Sequence, residues 1–240
     1  MNRPYNSVSD KDENTTGHCA DKPLNPGVSL YQEIQMITAS DALKRLQEGN
    51  KRFVSGVRSI DTLVKQMQIE IHAESQAPFA IILGCSDSRV PAEIVFDQGL
   101  GDLFVIRVAG NIVAPSQIGS VELATELFGT RLVVVLGHSM CGAVKATLDD
   151  MEHQSETRSS NVLSIVNRIR PVVEPLFRTE LRRHPEQLLD ASIRANILAA
   201  CNHLRHGSQQ LEHLIQKGDL TIVGAEYSLK TGEVKYFDDV

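Results

Sequence analysis

Apolar residues along the chain gather into short unbroken runs separated by polar and small residues. Phe79–Leu83, Phe104–Val108 and Leu132–Leu136 are continuously apolar and rich in branched side chains. Runs that do not alternate with polar positions predict strands buried on both faces, as in parallel sheets. Between the second and third runs, Val121, Ala124, Leu127 and Phe128 recur at helical spacing, which predicts a strand–helix–strand unit. A fourth strand is expected at Leu220–Gly224, and a turn at Thr231-Gly232 returns a last one, Val234–Phe237, at a sheet edge.

Helices fill the rest. Thr38 with Asp41 three residues later reads as a capping pair opening a helix that carries Leu43, Leu46 and Phe53, with Gly49 marking its end. The stretch Met151–Gly218 reads as mostly helical. It has one apolar stripe at Val162, Ile165, Val166 and Ile169, interrupted by Pro171 and Pro175, and another at Ile193, Ile197, Ala200, Cys201 and Leu204. The predicted fold is α/β: a mostly parallel sheet of four strands plus an antiparallel edge strand, flanked by helices. Residues 1–28 are polar and aperiodic and read as a disordered tail. Residues 29–240 read as one domain.

Composition narrows the class. The chain has 240 residues, 42% of them hydrophobic, enough for one substantial core. A net charge of −6 and the lack of a basic run with interleaved aromatics exclude a nucleic-acid surface. No apolar stretch has membrane-spanning length, and the acid-containing N-terminus resembles neither a secretory signal nor a transit peptide. Four cysteines do not suggest a disulfide framework, so a cytoplasmic, reducing location is expected.

Three residues then stand out: Cys85, His138 and Cys141. Each sits where an apolar run gives way to small and polar residues, as in Leu83-Gly-Cys85-Ser-Asp87-Ser-Arg89 and Leu136-Gly-His138-Ser-Met-Cys141-Gly142. In open parallel sheets ligands bind beyond the carboxyl ends of strands, where Cys85 and His138 can converge. Cys141, three residues past His138, can join them on one ion. Two thiolates and an imidazole are the ligands of a tetrahedral zinc site with one position open, one ion per chain. Thiolates and imidazole also accept iron or cobalt. The competing readings are small buried hydrophobes or a nucleophile–base pair. Gly84, Gly137 and Gly142 are expected to permit close backbone approach. Cys201 lies on an apolar stripe and is assigned to the core, His203 and His206 to a solvated face. His18-Cys19 in the tail is read as incidental.

The two segments around these residues resemble the paired signatures of the β-class carbonic anhydrases. Leu46–Phe53, Phe104–Asn111 and Gly224–Val234 resemble further segments of that family, so the likeness runs from about Ala42 to Phe237. It implies zinc-dependent reversible hydration of carbon dioxide, with hydroxide on the metal attacking the substrate. It also implies that Arg89 holds Asp87, which accepts a hydrogen bond from the metal-bound water. In some members this Asp instead takes the fourth metal position. A pocket Gln of plant-type relatives falls at Gly99, with Gln98 adjacent as substitute, and Gly142 is expected to contribute backbone. Regulated bacterial members hold bicarbonate with a Trp, an Arg and a Tyr; Arg107 matches the Arg, but Ile82 stands in place of the Trp. The family pairs as dimers or dimers of dimers. Hydrolysis of carbonyl sulfide or carbon disulfide on the same centre is the alternative activity. A non-catalytic zinc or redox-sensing protein is the alternative class.

Overall fold

The computed structural model describes residues 37–67, 76–153 and 159–237. The expected tail at 1–28, with His18 and Cys19, lies outside the described residues. Five strands form one sheet in the order β2-β1-β3-β4-β5. They are β1 (Ala80–Gly84), β2 (Leu103–Arg107), β3 (Leu132–His138), β4 (Thr221–Tyr227) and β5 (Val234–Tyr236). The first four pair in parallel and β5 runs antiparallel to β4, as the apolar runs predict. Gly232, at φ 78°, makes the turn into β5.

Continuous burial of the strands follows from helices on both faces. Ile81, Leu83, Val133 and Val135 face one core; Ala80, Ile82, Leu132, Val134 and Leu136 face the other. The first core is closed by α4 (Pro115–Phe128), α5 (Gly142–His153), α6 (Ser160–Phe177), α7 (Pro185–His206) and α8 (Gln209–Gln216). The second is closed by α1 (Ala39–Val54) and the short α3 (Ala92–Val95), with α2 (Ile60–Met67) following α1. Ile82 is wholly buried in that second core.

The connections decide where a site can form. From β1 the chain leaves through α3 to β2 at the sheet edge. From β3 it leaves through α5 on the opposite face. Strands β1 and β3 are neighbours, so their carboxyl ends diverge to opposite faces and leave a crevice between them. The unit predicted between β2 and β3 exists, but its crossover passes over β1, which lies between them.

Three sequence expectations need correction. Gly49 does not end the first helix: α1 runs to Val54, and Thr38 caps it by accepting the Asp41 N–H at 3.1 Å. A Cβ on Gly49 would lie 1.8 Å from the Phe96 carbonyl, so this glycine lets α1 press onto the segment after α3. The same contact is pinned by Asp97, at φ 46°, whose carboxylate takes the Nε of Arg52 at 2.6 Å and of Arg58 at 2.7 Å. Burial pushes that carboxyl up, and the two guanidiniums outweigh it and hold it below its ordinary range. Pro171 and Pro175 do not interrupt α6. They stand four residues apart on its exposed side, where carbonyls left without a donor are open to water. Leu127 is not part of the buried stripe of α4; it is 55% exposed, while Val121 and Ala124 are buried.

Candidate metal centre

Cys85 follows directly on β1 and His138 ends β3. Gly84 pairs with Leu136 across the parallel ladder, so the two side chains emerge at nearly the same level of adjacent strands. Met140, at φ 57° and 64% exposed, turns the chain back and delivers Cys141 at the start of α5. The ligand atoms of Cys85, His138 and Cys141 all lie within 4.8 Å of one another, and all three residues are buried. Tetrahedral zinc with sulfur at about 2.3 Å and nitrogen at about 2.0 Å needs such atoms roughly 3.5–3.8 Å apart.

The imidazole is prepared for this. Its Nδ1 lies 2.9 Å from the Ser139 carbonyl, which places the proton there and leaves Nε2 with a lone pair. Nε2 is buried and has no protein hydrogen-bond partner. A buried polar nitrogen with nothing to bond costs stability unless something fills its coordination. Ser139 is itself fixed by β4: its N–H donates to the Tyr227 carbonyl at 2.9 Å, and its Oγ accepts the Leu229 N–H at 3.0 Å.

Backbone N–H groups converge on the sulfurs. The Cys85 thiol is pulled down mainly by hydrogen bonding with Cys141, against burial, with help from the neighbouring His138 imidazole and then from the N–H groups of Gly110 and Asp87. The Cys141 thiol is pushed up, because it is the partner that keeps the proton and is also buried; the N–H groups of Val144 and Ala143 oppose this. A cation held by both sulfurs would displace any proton they carry. Cys201 is different. It is fully buried in the first core, and burial alone pushes its thiol up to about 12. Its assignment to the core holds.

Asp87 and Arg89 form a two-pronged pair beside the cluster. Arg89 Nε donates to Oδ1 at 2.9 Å and Nη2 to Oδ2 at 2.8 Å, and the Arg89 backbone N–H also reaches Oδ1 at 3.0 Å. This grip holds the Asp87 carboxyl far below the usual carboxylate range. Oδ2 stands 3.9 Å from His138 Nε2, so the carboxylate borders the position the three ligands enclose.

Sequence reasoning gave Arg107 only a regulatory comparison. The structure ties it to the metal loop: its Nε donates to the Cys85 carbonyl at 3.1 Å and its Nη2 to the Asp87 carbonyl at 2.6 Å. Its place opposite Gly84 at the end of β2 is the signal that links it to Cys85. Gln98 is not brought to the cluster within this chain. Its Nε2 donates to the Phe96 carbonyl at 2.6 Å and its Oε1 accepts from Arg45 Nε at 3.0 Å. It lines a cavity of about 460 Å³ with Arg45, Arg52, Lys65, Asp97 and Asp102, and no metal-site residue lines that cavity. Among the three glycines, only Gly137 is needed for close approach: a Cβ there would lie 2.4 Å from Ile197 Cδ1, whereas one on Gly84 or Gly142 meets no close neighbour.

The carbonic anhydrase family model matches residues 80–234. A carbonic anhydrase of Mycolicibacterium smegmatis is 38% identical over 197 residues, covering 81% of this chain and 91% of that protein. The chain belongs to the β-class carbonic anhydrase family. Carbonic anhydrase 2 of Mycobacterium tuberculosis is 37% identical, over 83% of this chain and 93% of its own length. The solved β-carbonic anhydrase CcaA superposes with a TM-score of 0.64 at 28% identity, covering 82% of this chain and 88% of that one. A Coccomyxa β-carbonic anhydrase solved with acetazolamide shares the fold at a TM-score of 0.63 and 24% identity, over 81% of this chain and 86% of its own. The sequence resemblance is thus borne out, and the cluster Cys85, His138 and Cys141 fits the metal that the family uses.

Gly137 offers a test of the wall behind His138. Gly137→Ala is expected to destabilise the protein by about 1–3 kcal/mol through overpacking. Ile197→Ala leaves a cavity and is also destabilising. The double variant should be more stable than the sum of the two losses implies, by roughly 0.5 kcal/mol or more. Urea unfolding of the four proteins measures this, and strict additivity would refute the contact.

Proposed function

We propose that the protein reversibly hydrates carbon dioxide to bicarbonate and a proton, with one zinc ion per chain held by Cys85, His138 and Cys141. The observation that carries this reading is the buried Nε2 of His138, without a protein partner, facing two buried thiols beside a carboxylate gripped by arginine. When bound, zinc supplies Lewis acidity that makes water nucleophilic near neutral pH. Everything else is the work of this chain. Burial excludes bulk water from the ligands. Ser139 orients the imidazole. Asp87 stays ionised and offers an acceptor to a water in the enclosed position, and Arg89 sets the direction of that acceptor. Gly142, first residue of α5 and without a side chain, leaves its backbone accessible beside Cys141.

Gln98 is assigned a weaker part, as a donor in the cavity beside α1 and α2. The family's dimer is assigned to this chain as well. The exposed side of α2 supports it, with Ile60 76% and Met67 80% exposed and Leu63 and Val64 between them at helical spacing. Sedimentation velocity at assay concentration should show at least a dimer, and an active monomer would reject this part. No helix among the described residues is long and apolar enough to cross a membrane. A reducing cytoplasm would keep Cys85, Cys141 and Cys201 as the free thiols they are here.

Metal analysis of purified protein should give one zinc per chain. Cys85→Ala, His138→Ala and Cys141→Ala should each lose zinc and stopped-flow carbon dioxide hydration, whereas Cys201→Ala should keep the metal. Full zinc occupancy in Cys141→Ala would remove that residue from the ligand set.

Asp87 and Arg89 are tested apart from metal retention. Asp87→Asn keeps the shape but weakens the acceptor and should lower hydration about 10–100-fold with zinc still bound. Arg89→Ala releases a carboxylate already 3.9 Å from His138 Nε2, free to compete for the metal. That variant should keep zinc, lose activity, and show by zinc X-ray absorption a fourth protein ligand. Hydration at the parent rate would leave the pair without a catalytic role.

A further inference from the structure

The metal centre leans on a residue far from it in sequence. Between β2 and α4 the chain makes a short 3₁₀ turn, Ala109–Asn111, and the Gly110 N–H reaches Cys85 Sγ at 3.3 Å. The Asn111 N–H closes the turn on the Val108 carbonyl at 3.0 Å, and the Val108 N–H ties its start to Gly84 on β1 at 3.0 Å. Gly110 sits at φ 71° and Asn111 at φ 43°, two consecutive residues in the left-handed region. Only glycine fits the first position, since a Cβ would lie 2.9 Å from Ile169 Cδ1 and 3.0 Å from Ala143 Cβ. The carbonyl side of the peptide is held by Asn196 on α7. Its buried side-chain Nδ2 donates to the Gly110 carbonyl at 2.8 Å, across 86 residues of sequence.

The two peptides flanking the Gly110 Cα thus have opposite partners: one gives its N–H to sulfur, the other gives its carbonyl to Asn196. Rotating either one breaks its bond, and releasing the carbonyl lets a left-handed pair relax. We propose that Asn196 is a positioning residue of the metal centre, holding the Gly110 peptide so that its N–H aims at the Cys85 sulfur. It rests on the zinc reading above. An N–H on a thiolate draws electron density from the sulfur and fixes its direction, and partners of this kind orient metal ligands.

Asn196→Asp and Asn196→Leu both keep the size of the side chain and remove the N–H donation. Ser192→Ala is the control: Ser192 lies one turn earlier on α7, and its buried hydroxyl has no hydrogen-bond partner among the described residues. Zinc affinity is measured by competition with a chromophoric chelator. The sulfur-to-metal charge-transfer band is read after cobalt substitution. Both Asn196 variants should bind zinc about 10–100-fold more weakly. Their cobalt band should move to longer wavelength, because a sulfur without its N–H partner gives up charge more easily. Ser192→Ala should match the parent in both. If Asn196→Leu fails to fold, the Asp variant, closest in shape, decides. Parent-like affinity and spectrum in the Asn196 variants would overturn the proposal, as would an equal change in Ser192→Ala. A parent chain that takes up no zinc would instead sink the zinc reading itself.

Discussion

The parallel ladder between β1 and β3 is the constraint on which the site depends. With Gly84 opposite Leu136, Cys85 comes level with Gly137 and His138 follows one residue on, so both leave the same end of the sheet on adjacent strands. Neighbouring strands are about 4.8 Å apart, close to the separation that two ligands of one small cation require. A slip of one residue in either strand would send Cys85 or His138 to the opposite face. Ahead of the ligands both strands are apolar and sandwiched between two cores, so such a slip is resisted along their length.

Around that pair, the chain immobilises loops chiefly through main-chain groups. Ser139 is pinned to β4 and presents its carbonyl to His138. Arg107 clamps the carbonyls of Cys85 and Asp87, and Asn196 clamps that of Gly110. Peptide N–H groups of Gly110, Asp87, Ala143 and Val144 face the two sulfurs. Polar groups have to be satisfied where water is excluded, and here that requirement also fixes the direction of each ligand atom. Asp87 sits at the border of this arrangement. Its arginine partner is exposed and its own carboxylate half-buried, which keeps it ionised without walling it off.

The second core works at a distance from this chemistry. Gly49 lets α1 press onto the segment after α3, and Asp97 locks that contact with two arginines. The segment so fixed carries Gln98, whose amide is tied to Phe96 and Arg45 in a cavity apart from the metal cluster. The metal cluster thus sits at the carboxyl end of the sheet with its two cysteines in the first core, and a charged cavity lies beside α1 over the second.

The sequence by itself marked the strands, most of the helical stripes and the three candidate metal ligands. Burial on both faces leaves an unbroken apolar run, and a metal ligand after such a run is visible as a break in it. Cys201 could likewise be told from Cys85 and Cys141, because it repeats with the apolar residues of α7. Only the tertiary structure decided the rest. Gly49 looks like a helix end until the Phe96 carbonyl is seen against it, and the prolines of α6 look like breaks until their exposed side is known. Arg107 and Asn196 carry no local mark of their roles, since each acts on a carbonyl brought near by the fold. Gln98 is one residue from an expected pocket position, yet its side chain is committed elsewhere. Local pattern records what each residue's own element requires. Hydrogen bonds between elements depend on register, crossover and close approach, and these exist only once the chain has packed.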